Sequence, residues 1–363
     1  MENSSENMKC FVECLLPTTQ CNLKCEYCYV RQRKDDEQKQ IPLDYDVSHI
    51  ISAFNKHRWG GELYISLTGY GETFLQKELV PLVHGLLQLG HYVNITTNGT
   101  VSARINELLD FDKDLLKHLH IAFSFHYLEL KQRKLIDIFF NNVQKVKSSG
   151  ASFLVQMNLY DGYIPYLKDI KSVCLERIGA LPQLAATRLE GSTTSLHTSL
   201  PLAEYKKIGD TFSSPLFDFT MRNFNVKRKE FCYAGKWSFN LKMKNGDLYA
   251  CYGMGRVQNI FRDINKKIVF EPVGKHCKAN FCFNSSHFLS LGVIPEFEAP
   301  SYAALRNREE ASWYNEEAKQ FLGRKFIATQ PLLSPLKKSF YNLIGYRFTC
   351  INFVKRLLKH IKK

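Results

Sequence analysis

Six short apolar segments, separated by amphipathic stretches, constrain the fold of this 363-residue chain more than any other feature. The apolar segments lie at 10–21, 62–71, 92–99, 120–127, 152–160 and 182–191. The amphipathic stretches lie at 44–57, 77–89, 103–118, 130–148 and 164–178. Strands that alternate with helices at this spacing predict parallel strands joined by crossover helices. Six such units are fewer than the eight of a closed barrel, so we predict an α/β fold with a partial, open barrel.

Chemistry-bearing residues follow the first four predicted strands directly. Cysteines at 21, 25 and 28 follow the first strand, and the segments TGYGE, TTNG and SFHY follow the next three. Parallel α/β sheets place their reactive groups at the carboxyl ends of the strands. The sequence therefore predicts one site at this edge, built around the cysteines.

The eleven cysteines exceed what packing requires. The start of the chain, MENSSENMKC, lacks the basic and then apolar pattern of a secretory signal. No apolar run approaches the roughly 18 residues of a membrane-spanning helix. We therefore expect a cytoplasmic chain, and in a reducing compartment cysteines serve as metal ligands more often than as disulfides.

The spacing Cys21-x3-Cys25-x2-Cys28 differs from the paired Cys-x2-Cys hooks of zinc ribbons. Three thiolates hold a cubane iron-sulfur cluster and leave one iron open to an outside ligand. The alternative is three unconnected free thiols in a loop.

These cysteines, with the aromatic Tyr27 before the last, resemble the CxxxCxΦC motif of the radical S-adenosylmethionine (SAM) superfamily. The resemblance implies a TIM-like (β/α)6 partial barrel, a 4Fe-4S cluster on Cys21, Cys25 and Cys28, and SAM bound to its open iron. It also implies cleavage of SAM to methionine and a 5'-deoxyadenosyl radical, which takes a hydrogen atom from the substrate. An electron donor such as flavodoxin or ferredoxin is the expected partner.

The other strand ends match the same superfamily less specifically. By resemblance, the cofactor-side residues are Tyr27, Gly69, Gly71, Glu72, Asn98 and Ser124. Gly71 and Glu72 match the GGEP stretch, whose carboxylate accepts from the SAM ammonium, although Thr73 stands in place of its proline. Each residue also has an ordinary interpretation, as part of a turn or as a buried polar group.

A second group of four cysteines lies behind the predicted barrel, at Cys232, Cys251, Cys277 and Cys282. The turn Asn245-Gly246 predicts a hairpin with Cys232 and Cys251 on its two strands. Four thiolates close the coordination of a zinc ion or of a 4Fe-4S cluster, and both remain open.

Cys-x-Ala-Gly at 232–235, with Gly246-x4-Cys251, resembles the opening of SPASM and twitch extensions. A full SPASM extension carries about seven cysteines, so four imply the shorter twitch type with one auxiliary 4Fe-4S cluster that relays electrons. Structural zinc is the alternative.

The substrate is predicted only indirectly. The first strand begins too near the start of the sequence for the leader-binding domain of many peptide-modifying relatives, which weakens the case for a peptide substrate. The resemblance to twitch enzymes with one auxiliary cluster implies a small polar substrate, and we expect a sugar or sugar conjugate. Oxidation or rearrangement is the expected reaction, and a peptide maturase is the alternative. His126, Arg188 and Glu190 lie at strand ends, and we select His126 and Arg188 as catalytic candidates. A non-catalytic metal-binding module is the hypothesis from another class.

The C-terminal tail differs from the rest in charge. From Leu336 on, it carries eight Lys or Arg and no acidic residue. The tail therefore accounts for more than half of the net charge of +14. Its apolar residues recur in steps of three and four, at Phe340, Ile344, Phe348, Ile351, Val354, Leu358 and Ile361. This pattern predicts a basic amphipathic helix that contacts the inner face of a membrane through 337–363 or packs beneath the barrel. Nucleic acid is not expected as a partner.

The predicted boundaries follow from these features. We expect a barrel domain at 1–215, an auxiliary-cluster domain at 216–335 and the C-terminal helix at 336–363. The charged segment 301–323 is predicted to form helices that pack on the auxiliary domain.

Overall fold

The computed structural model describes residues 7–32, 37–190, 195–282 and 285–343. The strands in these ranges are β1 (Met8–Leu16), β2 (Glu62–Gly69), β3 (Tyr92–Thr97), β4 (Leu119–Ser124), β5 (Ser152–Leu159), β6 (Gln183–Ala186), β7 (Ser238–Lys242), β8 (Asp247–Tyr249) and β9 (Arg256–Asn259). The α-helices are α1 (Val47–Ala53), α2 (Lys56–Trp59), α3 (Leu79–Gln88), α4 (Ser102–Leu109), α5 (Lys113–Leu116), α6 (Tyr127–Gln132), α7 (Ile136–Ser149), α8 (Leu167–Ile178), α9 (Leu202–Asp210), α10 (Pro215–Asn223), α11 (Tyr302–Arg306), α12 (Glu316–Gly323) and α13 (Phe326–Thr329). Shorter 3-10 turns lie at Thr73–Leu75, Asp161–Tyr166 and Glu309–Ala311, a π-helical turn lies at Ser285–Leu289, and residues 335–343 are helical.

One mostly parallel sheet organises the molecule. Its strand order is β6-β5-β4-β3-β2-β1-β7-β8-β9. Strands β1 to β6 are parallel neighbours, and β7 pairs in parallel with the other edge of β1. Strands β8 and β9 continue the sheet in antiparallel pairs. The predicted α/β partial barrel of six strand-helix units is confirmed.

The barrel strands are apolar because both faces of the sheet are covered. Strand β1 alternates only weakly between buried and half-buried residues, as parallel strands with two packed faces do. It ends at Leu16, earlier than predicted, since Pro17 has no N–H to continue the ladder. Cys21 consequently lies in a loop beyond the strand. Within the described residues, every helix is too short or too polar to span a lipid bilayer.

Two predicted helices are each divided in two. The stretch 103–118 forms α4 and α5, and the stretch 130–148 forms α6 and α7. Lys134, between α6 and α7, has a φ of 59°, a left-handed conformation that no helix continues through. The sequence pattern did not reveal this break because the residue is not a glycine.

The predicted hairpin exists, but its cysteines lie outside the strands. Gly246 has a φ of 80° in the turn between β7 and β8. Cys232 precedes β7 and forms an isolated bridge with Gly274, and Cys251 follows β8. The assignment of both cysteines to the hairpin strands was wrong, because β7 and β8 are shorter than the apolar pattern suggests.

The segment 301–323 forms α11 and α12, as predicted, and packs on the barrel itself. The N–H of Phe153 on β5 donates to the carbonyl of Trp313 over 2.9 Å. Trp313 and Tyr314 are buried in the common core. The expectation that this segment packs on the auxiliary domain alone was therefore incomplete. The three predicted domain boundaries stay a prediction, and the tail residues 344–363 lie outside the described residues.

Candidate active site

A cavity of about 440 Å³ opens at the carboxyl ends of the barrel strands. Of the residues predicted for a site at this edge, it is lined by Cys21, Cys25, Tyr27, Cys28, Gly69, Gly71, Glu72, Asn98, Ser124, His126, Arg188 and Glu190. Residues that lie more than 160 positions apart in the sequence, such as Cys21 and Arg188, thus share one wall. The fold brings together the whole first set of predicted residues.

The cysteine loop is fastened to the ends of its neighbouring strands. The Asn98 amide donates to the side-chain oxygen of Asn22 over 2.8 Å, and the Asn22 amide donates to Thr100 Oγ1 over 2.8 Å. The backbone N–H of Lys24 donates to the Glu129 carboxylate over 2.9 Å. Asn98 therefore holds the loop through protein contacts, a role that the sequence did not reveal.

The thiols of this loop lie close enough to influence one another. Burial, together with the charges of Glu72 and Cys28, raises the pKa of Cys21 to about 11. Burial and the charges of Cys21, Glu129 and Cys28 also raise the pKa of Cys25. Thiolates in this setting require a cation to remain ionised, which an iron cluster would supply.

Tyr27 connects the cysteine loop to two other strand ends. Its hydroxyl lies 2.6 Å from Nδ1 of His126 and 3.0 Å from the hydroxyl of Tyr163. Its ring lies 5.0 Å from the ring of Tyr160. Burial lowers the pKa of His126 to about 4, so the imidazole is neutral at neutral pH and accepts or donates one hydrogen bond at Nδ1.

Sequence reasoning missed Tyr160 and Tyr163, which support this contact. Both follow β5 directly, at the same edge as the cysteines. Their position after a strand was the available signal.

Position 71 requires a glycine because the loop after β2 and the segment before Cys21 approach closely there. Its N–H donates to the carbonyl of Thr18 over 3.0 Å, and the N–H of Glu72 donates to the carbonyl of Gln20 over 2.9 Å. A Cβ at Gly71 would lie 2.1 Å from the Gln20 carbonyl oxygen. The loop after β2 thereby packs directly against the residues that precede Cys21.

The Glu72 carboxylate is buried and ties β2 to β3. It accepts from Thr97 Oγ1 over 2.6 Å, from the N–H of Asn98 over 2.7 Å and from the N–H of Phe74 over 3.0 Å. Burial raises the pKa of Glu72, and these three hydrogen bonds lower it. A carboxylate offers about four acceptor positions, so one is left for a donor in the cavity.

Arg188 lies between the cavity and the second cysteine group. Its guanidinium lies 5.6 Å from the ring centre of Phe224 and 5.2 Å from that of Phe281. Burial lowers the pKa of Arg188, and the adjacent Cys282 raises it. Arg188 therefore places the cavity wall near the second cysteine group.

The second group gathers four thiols from three segments, since Cys277 and Cys282 lie five residues apart. Cys232 is held by reciprocal backbone hydrogen bonds with Gly274, of 3.1 and 2.9 Å. Burial raises the pKa of Cys232 strongly, and the charges of Cys282, Cys251 and Cys277 add to this. Burial raises the pKa of Cys251 to about 11. The four cysteines that the sequence grouped thus surround one region.

The donor sets of both groups fit iron-sulfur chemistry. Among the residues that the structure describes, no three His, Cys, Asp or Glu side chains converge as ligands of one metal ion do. A cubane cluster is bound at separate irons, so its thiolates need not meet at a single point. Four thiolates are a donor set that zinc also accepts, but zinc would require them to converge on one ion.

Residues 15–165 match the radical SAM superfamily. The structure resembles that of Streptococcus suis SuiB bound to S-adenosylmethionine, with a TM-score of 0.50 and 14% identity over 71% of this chain and 64% of SuiB. Histidine-tagged anSMEcpe with bound AdoMet gives a TM-score of 0.49 and 15% identity over 96% of both chains. BtrN in complex with AdoMet and 2-DOIA gives a TM-score of 0.36 and 14% identity over 88% of this chain and 89% of BtrN.

The likeness to SuiB shows a shared fold, and this chain spans about 64% of the length of SuiB. No curated protein sequence matches the chain significantly.

Proposed function

Because this chain carries a radical SAM domain at residues 15–165, we propose that it cleaves SAM reductively and takes hydrogen from a small polar substrate. The observation that carries this proposal is that Cys21, Cys25 and Cys28 all line one cavity. These three thiolates would hold a 4Fe-4S cluster, which would supply the electron for cleaving the bond between the SAM sulfur and its 5' carbon.

Several residues of the cavity are suited to bind SAM or to position the cysteine loop. The free acceptor position of Glu72 is suited to the SAM ammonium group, and Ser124 is suited to a hydroxyl of the ribose. Asn98 and Tyr27 position the cysteine loop through the hydrogen bonds described above. Gly71 permits the close packing that brings the loop after β2 to the cysteine segment.

We further propose that the second cysteine group holds an auxiliary 4Fe-4S cluster of the twitch type, which relays electrons. Arg188 supports this arrangement, since it lines the cavity and the charge of Cys282 raises its pKa. Oxidation of an alcohol by loss of a hydrogen atom and a proton leaves one electron to remove, and an adjacent cluster would accept it. Arg188 and neutral His126 are suited to hold a sugar or sugar conjugate, with a peptide as the competing substrate class.

The cytoplasm, with access to flavodoxin or ferredoxin, is the proposed location. All ten described cysteines are free thiols. Free thiols in this number agree with a reducing compartment.

The test is anaerobic reconstitution with iron and sulfide, followed by an assay for 5'-deoxyadenosine formed from SAM under strong reductant. We expect about eight irons per chain, for two cubane clusters, and formation of 5'-deoxyadenosine. A Cys21→Ala, Cys25→Ala, Cys28→Ala variant should form none. The matched control is Cys174→Ala, a buried cysteine outside both groups.

A fully loaded protein that leaves SAM intact would overturn the proposal and favour a non-catalytic metal-binding module. About four irons with normal cleavage would assign zinc, or no metal, to the second group.

A further inference from the structure

The last described segment of the chain exposes an unusual number of large apolar side chains. They are Ile327, Leu332, Leu336, Phe340 and Leu343. In the helix 335–343, Leu336 is 84% exposed, Phe340 57% and Leu343 60%. Steps of four and three residues place these three side chains on one helix face, which we call the outer face.

The helix is anchored by its other side. Lys338 Nζ lies 2.9 Å from the Glu296 carboxylate and 5.3 Å from the ring centre of Phe231. The side-chain oxygen of Asn342 accepts from the N–H of Lys275 over 3.1 Å, and Tyr341 packs against the core. The side with Lys338, Tyr341 and Asn342 is thus half-buried against the protein, and the apolar outer face is exposed. For these residues, the alternative of a helix packed beneath the barrel by its apolar stripe does not apply.

Glu296 is paired with Lys338, and the sequence from the preceding helix onward carries charge of one sign. From residue 318 to the end of the sequence there are eleven Lys or Arg and no Asp or Glu. Lys337, beside the outer face, is itself exposed. Apolar side chains flanked by cations are the combination that binds the interface of an anionic bilayer, where acyl chains and charged headgroups lie within a few ångströms of each other.

We propose that the outer face of helix 335–343 docks on an anionic membrane surface. Leu336, Phe340 and Leu343 enter the interfacial layer, and Lys337 lies among the headgroups. This interaction surface is separate from the cavity at the carboxyl ends of the strands, and it does not depend on the proposed radical chemistry. A second copy of the chain is the competing occupant of the outer face.

The test is cosedimentation of the full-length protein with vesicles of equal parts phosphatidylglycerol and phosphatidylcholine. The variant Leu336→Ser, Phe340→Ser, Leu343→Ser removes the outer face. Its matched control is Ile138→Ser, Leu175→Ser, Leu202→Ser, which changes three exposed apolar residues on other helices. We expect the first variant to bind at least about tenfold more weakly than the wild type and the control to bind as the wild type does.

Salt and lipid charge provide the second measurement. Binding should fall when the salt concentration is raised and should be absent with pure phosphatidylcholine vesicles. A single variant, Leu336→Gln, changes the most exposed of the three side chains and should weaken binding without affecting the fold, which thermal melting verifies.

Two results would overturn the proposal. Equal binding by the outer-face variant and its control would assign any membrane affinity to another part of the chain. A wild-type dimer that becomes a monomer in the outer-face variant, without loss of vesicle binding, would assign the face to a second copy. Both outcomes can be separated from a failure of SAM cleavage, which is measured without vesicles.

Discussion

The two cysteine groups of this protein are built in contrasting ways. Cys21, Cys25 and Cys28 occupy one loop, which side chains from several strand ends fasten to the barrel. The second group takes its four thiols from three segments, and a backbone bridge between Cys232 and Gly274 joins two of these segments. The first loop has its shape from the barrel, whereas a metal shared by the four thiols would add further cross-links to the second region. We therefore expect bound metal to contribute more to folding in the second region.

The largest expected effect comes from breaking the second group alone. In Cys232→Ala, we expect iron to fall from about eight to about four per chain and the thermal midpoint to drop, while 5'-deoxyadenosine still forms. In the Cys21→Ala, Cys25→Ala, Cys28→Ala variant, the iron content should also fall to about four per chain, and the thermal midpoint should drop less than in Cys232→Ala. Iron analysis and anaerobic thermal melting measure the contrast. An equal loss of thermal stability in both variants would contradict it.

A smaller effect should come from the packing behind the first loop. Gly71→Ala would force the chain apart at the Gln20 carbonyl, and we expect a loss of about 3 kcal/mol in the free energy of unfolding. The matched control is Gly255→Ala in the second region, where an added Cβ meets nothing within 4 Å. Denaturant unfolding measures both variants. If Gly71→Ala matched its control, the close contact would have no energetic importance.

The smallest effect is a pH dependence confined to the first region. Burial lowers the pKa of His126 to about 4 in the folded protein, below its ordinary value of 6.5. As the pH falls, His126 is therefore protonated in the unfolded chain before it is protonated in the folded protein. Its contribution to the free energy of unfolding is present above pH 6.5 and is lost as the pH decreases toward 4. His126 should contribute about 2 kcal/mol of the loss between pH 7 and pH 5.

The side chain of the variant His126→Gln cannot titrate. Between pH 7 and pH 5, the free energy of unfolding of this variant should therefore fall by about 2 kcal/mol less than that of the wild type. His57→Gln, at an exposed position, is the control and should follow the wild type. Thermal or denaturant unfolding at a series of pH values measures the difference. Parallel curves for all three proteins would show that His126 does not remain neutral in the fold.

The sequence predicted the first region well because its information is local. Alternating strands and helices place the residues after each strand at one edge, so Cys21, Glu72, Asn98 and Ser124 had to meet there. The partners of these residues were less visible. The bond from Asn98 to Asn22 and the contact of Gly71 with Gln20 depend on how two loops pack, and no periodicity reports that.

The second region was predicted only in part, because its order arises from contacts between distant segments. The turn at Gly246 was evident from its dipeptide, and the grouping of four cysteines followed from their number. The bridge of Cys232 to Gly274 was not visible, since neither segment has strand periodicity. The position of Arg188 beside Phe281 likewise depends on the final packing of the two regions.

The pairing of β7 with β1 leaves one edge of β1 uncovered during synthesis. Strand β1 precedes β7 by more than 200 residues in the chain, so it leaves the ribosome well before Ser238–Lys242, which complete its edge opposite β2. Until then β1 exposes unpaired backbone groups along an apolar strand, which is a template for association with other chains. A nascent chain of this protein therefore has a long interval in which a chaperone would protect it, and fragments that end before β7 should be prone to aggregation.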